Sequence, residues 1–93
     1  MTFKYLFDKD LNDIHFIKHG VSKEEVYEFF HDILYLERKR KDKSFESIGK
    51  LLSGRYLKVV YRTLKDGTYF IITAFDIFDN DEKSLIEKEL RRL

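Results

Sequence analysis

Between Tyr56 and Ile77 the chain reads YLKVVYRTLKDGTYFIITAFDI, two runs of alternating apolar and polar residues on either side of Asp66-Gly67. Alternation with a period of two is the pattern of a half-buried strand, and Asp-Gly tolerates the positive φ that a tight hairpin demands. This segment constrains the fold most, because it commits the C-terminal half of the chain to antiparallel sheet. Ser53-Gly54 marks a second turn, separating FESIGKLL (45–52) from the first run. Upstream, ILYLERKRK (33–41) is expected as a further strand and TFKYLF, near the N-terminus, as a short one.

Elsewhere the period changes. Ser22 followed three residues later by Glu25 is a capping box, with Val21 and Val26 placed as a hydrophobic staple. Val26, Phe29, Phe30, Ile33 and Leu34 then recur at the spacing of one buried helical stripe. The C-terminal NDEKSLIEKELRRL opens on acidic and amide residues suited to a cap and carries Leu85, Ile86 and Leu90 at helical spacing. The order is strand, helix, three or four antiparallel strands, helix. That is an α+β fold, an antiparallel meander sheet with an N-terminal amphipathic helix and a C-terminal helix.

With 93 residues the chain makes a single domain, 1–93, around one modest core. It has no apolar run long enough to span a bilayer, and charge enters within the first residues, so a soluble cytoplasmic protein without a membrane partner is expected. The absence of cysteine removes disulfides and thiolate metal sites, and the absence of proline, with only four glycines, leaves no linker. No phosphate-cradling glycine loop, nucleophile elbow or paired carboxylates appear.

Net charge is +1, yet the charge is unevenly spread. Residues 1–36 and 66–93 are each acidic by three, whereas residues 37–65 carry ten basic and three acidic side chains. Such an island suits a polyanion, since Lys and Arg contacts to phosphate supply most sequence-independent affinity for nucleic acid. The plainer account of ERKRKDK is a solvated edge strand that resists aggregation. Lys58 and Arg62 are an even number of residues apart and share a strand face with Tyr56, an aromatic among cations that suits bases and phosphates.

KHGVS (18–22) leading into a helix, then IG (48–49), GRYLKVVY (54–61) and FIITAFDI (70–77) before an acidic helix start, resembles the BrnT-type toxins of bacterial toxin-antitoxin pairs. The order and spacing match over nearly the whole chain. The resemblance implies a RelE-like fold, RNA cleavage, and neutralisation by a cognate antitoxin that also binds DNA. Where the family pattern has three arginines, this chain has Ser44, Phe70 and Phe75. Phosphate clamping and charge stabilisation must then fall to other cations.

The functional expectation follows: a ribonuclease toxin cleaving RNA without metal or cofactor, with His19, Arg55 and Arg62 as catalytic residues and Lys18, Tyr56, Lys58, Arg38 and Arg40 binding RNA. The alternative is a relative that has lost catalysis and binds protein or nucleic acid. His19 has the intrinsic pKa of a general base or acid, with Lys18 beside it to neutralise phosphate. Its bland reading is a structural histidine at a sharp chain turn made by Gly20. His15 and His19 have the spacing of a zinc pair on a helix, but Gly20 and the Ser22 cap put both before the helix, where that spacing loses its meaning. His31 is expected to be exposed.

Overall fold

A computed structural model describes residues 1–93. Strands β1 (Phe3–Tyr5), β2 (Phe7–Asp8) and β3 (Asp13–Ile14) lead through a 3-10 helix (His15–His19) into helix α1 (Lys23–His31). Strands β4 (Tyr35–Lys39), β5 (Phe45–Lys50), β6 (Tyr56–Thr63) and β7 (Tyr69–Asp76) follow, and helix α2 (Asn80–Arg91) ends the fold. No helix is long and apolar enough to cross a membrane.

Strands β4 to β7 form the antiparallel meander, with the hairpin at Asp66-Gly67 in place. The sheet as a whole is mixed, however, in the order β1-β7-β6-β5-β4, because β1 joins the outer edge of β7 in parallel. This corrects the purely antiparallel expectation. The hairpin leaves the backbone groups of residues 69–71 unpaired on the outer side of β7, and β1 satisfies them while burying Phe3 against Phe30. A bulge between Val60 and Tyr61 sets Val60 opposite Thr73 and Tyr61 opposite Ile71, leaving Ile72 extra on β7.

The first helix is not N-terminal, since three short strands and the 3-10 helix precede it. It starts as its sequence dictates: Ser22 Oγ accepts from the Glu25 amide at 3.1 Å, and Glu25 accepts from the Ser22 amide at 3.0 Å. The helix closes at His31, one turn before the stripe ends. Ile33 still packs on the core as the chain swings into β4, and Leu34 is exposed. Val26, Phe29 and Phe30 bury against Leu57, Val59, Tyr61, Ile71 and Ala74 on one face of the sheet. Each such side chain contributes about 1.5–3 kcal/mol on burial. The opposite face is thinner: Ile86 of α2 meets Ile48 and Ile77, with Leu36, Tyr56 and Leu90 around them.

Gly49 sits where α1 crosses β5. A Cβ there would stand 2.8 Å from Ile33 Cδ1 and 3.1 Å from both Phe29 Cε2 and the Leu34 carbonyl. Gly49→Ala should cost about 1–3 kcal/mol through overpacking, read as a fall in the urea midpoint with an unchanged slope. An unchanged midpoint would show that α1 can shift to make room.

Candidate functional site

At the end of the sheet where β6 begins and β7 finishes, an open cleft of about 530 Å³ is lined by His19, Lys58, Phe75, Asp76, Phe78 and Glu82 among others. Beyond the reach of β1, the 3-10 helix lies along β7, which carries the His19 ring to 6.0 Å from that of Phe75, edge to face. The 3-10 helix stops at Gly20, whose φ of 73° turns the chain toward α1. His19 stays exposed on the cleft rim. Partial burial, followed by the charges of Lys18 and His15, holds its imidazole below the usual histidine range and favours the neutral ring.

Arg55 lies behind this rim. Its Nε donates to Asp76 Oδ1 at 2.5 Å and its Nη1 to Glu25 at 2.9 Å, while the carbonyls of Gly20 and His19 take further donors at 2.9 Å and 3.4 Å. With its fork filled, Arg55 fixes the His19–Gly20 turn and presents no free donor pair for phosphate. The sequence expectation that Arg55 is catalytic therefore meets a side chain occupied in holding the site together.

The other expected residues divide by position. Lys58 reaches the cleft, where its ammonium is 2.8 Å from Glu82 of α2. Lys18 flanks His19 on the 3-10 helix, with its Nζ 3.7 Å from Asp8. Tyr56 donates to Glu87 at 2.5 Å. Arg38 pairs with Glu46 at 2.5 Å and lies 4.0 Å from Glu82. Arg62 is four residues beyond Lys58, roughly 13 Å along the strand. There it meets Asp42 of the β4–β5 turn at 3.8 Å. Arg40 is exposed beside the same turn. The geometry thus brings His19 and Lys58 to one cleft, with Lys18 next to His19 in the chain, and leaves Arg62 and Arg40 at the opposite end of the sheet.

Ser44, Phe70 and Phe75 sit where the resemblance would have arginines. Ser44 is fully buried, donating from Oγ to Asp42 at 2.5 Å. Phe75 supplies an apolar wall to the cleft. His31 is exposed, its ring stacked on Tyr27 at 3.9 Å.

Sequence reasoning passed over one pair. His15 Nδ1 is 3.1 Å from Asp8 Oδ2, and the His15 ring is 5.8 Å from that of His19. Seven residues separate Asp8 from His15, and only the small β2–β3 hairpin joins them. No periodicity announces so short an element.

The chain was compared with protein-family models, with curated proteins and with solved structures, and none of them matches it.

The Arg55 cluster makes a pH prediction. Its hydrogen bonds hold Asp76 below the usual carboxylate range. For Glu25, burial pushes upward but the Ser22 amide and Arg55 outweigh it. A carboxyl depressed in the folded state stabilises the fold above its unfolded pKa of about 4, and that stabilisation is lost as pH falls through the folded value. Arg55→Ala should therefore cost about 2 kcal/mol at neutral pH, a figure reduced from the fully buried case for partial exposure, and clearly less near pH 3. Urea unfolding at the two pH values measures the difference, and an equal cost at both would dismiss the ion pairs as its source.

Proposed function

We propose that this chain is a metal-independent ribonuclease of RelE-like design, similar to the BrnT-type toxins and held in check by a cognate antitoxin. The observation that carries the reading is His19 on the rim of the cleft, its neutral form favoured, with Lys18 adjacent and Lys58 across from it. RNA cleavage of this kind needs a base for the 2'-hydroxyl, a proton for the departing 5'-oxygen, and positive charge near the phosphate. Imidazole and ammonium groups supply these, and the order of motifs from Lys18 to Ile77 supports the same family of chemistry. In this reading Arg55 positions the turn that bears His19, and Arg62 takes no part in the reaction.

A second reading rests on a specific observation: Arg38, Lys50, Lys58, Arg62 and Arg55 each pair with a carboxylate of the same chain. With these cations already paired, little charge is left to stabilise a cleaved phosphodiester, which fits a relative that has lost catalysis and binds protein or, weakly, nucleic acid. The two readings part on one experiment. Purified protein with a labelled single-stranded RNA should give a 2',3'-cyclic phosphate end in the presence of a chelator, and His19→Ala should slow this by roughly 100-fold or more with its melting curve unchanged. Binding without cleavage, unaffected by His19→Ala, would establish the module instead. Induced expression, with and without the adjacent reading frame, tests for toxicity and for the antitoxin.

A further inference from the structure

Asp8 is held more firmly than a surface carboxylate needs to be. Its Oδ1 accepts the amides of Asp10 and Leu11 at 3.0 Å and 3.2 Å, which fixes the carboxylate plane within the β2–β3 turn. Its Oδ2 is left to face His15 Nδ1 at 3.1 Å, with Lys18 Nζ 3.7 Å away. The backbone of His15 is fixed as well, because its amide donates to the Leu6 carbonyl at 2.9 Å. When Nδ1–H donates to Asp8, the ring orientation is set and Nε2 becomes the working nitrogen, as with any imidazole oriented by a carboxylate. The His15 side chain keeps 25% of its surface open to solvent. The His19 ring stands 5.8 Å away at an interplanar angle of 72°, near enough for one phosphodiester to meet both rings.

We propose that His15 is the second proton-transfer residue of the site, oriented by Asp8 and paired with His19. The assignment rests on the ribonuclease reading above and adds the residue which that reading lacks. In the reaction, His19 takes the proton of the 2'-hydroxyl and the 2'-oxygen forms its bond to phosphorus. The bond from phosphorus to the 5'-oxygen breaks, and His15 delivers its Nε2 proton to that oxygen. The products are a 2',3'-cyclic phosphate and a free 5'-hydroxyl, with His19 protonated and His15 neutral until solvent resets them. Lys18, beside the pair, supplies positive charge close to the phosphate. Asp8 acts through His15 and is a positioning residue.

A general acid matters only when the leaving group needs a proton, and that separates this role from a structural one. The experiment compares two probes, a dinucleotide with a 5'-alkoxide leaving group and uridine 3'-(4-nitrophenyl phosphate), whose nitrophenolate departs unaided. With His15→Ala, cleavage of the dinucleotide should fall roughly 100-fold or more, while cleavage of the nitrophenyl ester should stay within a few-fold of wild type. Asp8→Asn should show the same split at smaller amplitude, because the ring remains but loses its carboxylate. Equal losses on both probes, or no loss on either, would overturn the assignment of His15 and leave the ribonuclease reading standing. If the wild-type protein cleaves neither probe, the ribonuclease reading fails and the assignment falls with it. Melting curves for both variants guard against loss of fold, and His15→Asn serves as the second variant should His15→Ala not fold.

Discussion

Three separate parts of the chain meet at the guanidinium of Arg55. Glu25 stands in the first turn of α1, Asp76 ends β7, and the carbonyls of His19 and Gly20 close the 3-10 helix. Each of these positions is an element terminus, where backbone groups lack partners and local propensity gives the weakest direction. A planar fork of donors satisfies them together, which a lysine in its place could not do. Glu25 is doubly used, as the carboxylate of the capping box and as a partner of Arg55, so the start of α1 is locked to the sheet by the same oxygen, Oε1, that begins the helix. The cleft depends on this lock, because the turn it fixes carries His19.

The charge distribution reads differently once folded. In sequence, residues 37–65 form a basic island between two acidic flanks. In space, the flanks close on the island: Glu82 and Glu87 of α2 reach Lys58 and Lys50 across the thinner core. A helix anchored by little more than Ile86 draws part of its hold from these pairs. The individual pairs are partly exposed and worth little singly. Their collective effect is to lower the positive potential that a polyanion would meet on this face of the sheet.

The meander, its turn at Asp66-Gly67 and both helix starts were legible, because each follows from a pattern repeated over several residues or from a cap of fixed spacing. The parallel strand β1 was harder to read. Three residues carry no period, and its pairing depends on an edge formed more than sixty residues later. Helix α1 was read one turn too long because Ile33 and Leu34 continue its spacing, although the chain leaves the helix after His31 and Ile33 packs on the core from outside it. At the site, His19 and Lys18 were legible as neighbours of a helix start. Arg55 looked like one more cation on a basic strand, since Glu25 and Asp76 lie 30 and 21 residues away in the chain. His15 drew notice only as half of a zinc spacing that the Gly20 turn and the Ser22 cap rule out. Its carboxylate partner depends on a turn with Asn12 at a φ of 55°, which no pattern of hydrophobicity specifies.

Phe75 stands where the resembled family would carry an arginine. A guanidinium at that position would carry a donor pair suited to phosphate and oppose protonation of His19 by its charge. Phenylalanine offers no clamp and adds no charge beside the imidazole, its ring standing 6.0 Å from that of His19. Under the proposed ribonuclease reading, His19 would then act as a base without a neighbouring arginine, and stabilisation of the extra negative charge would fall to lysines. In that reading Lys58, paired with Glu82 at 2.8 Å on the cleft wall, would have to exchange that carboxylate for a phosphate oxygen. Lys18 is more exposed and stands 3.7 Å from Asp8, beyond direct hydrogen-bonding distance, so in the same reading it would turn toward phosphate at less cost. Under the proposed ribonuclease reading, the chemistry would draw on the 3-10 helix, which carries His15, Lys18 and His19 within five residues, rather than on the basic strand that first draws the eye.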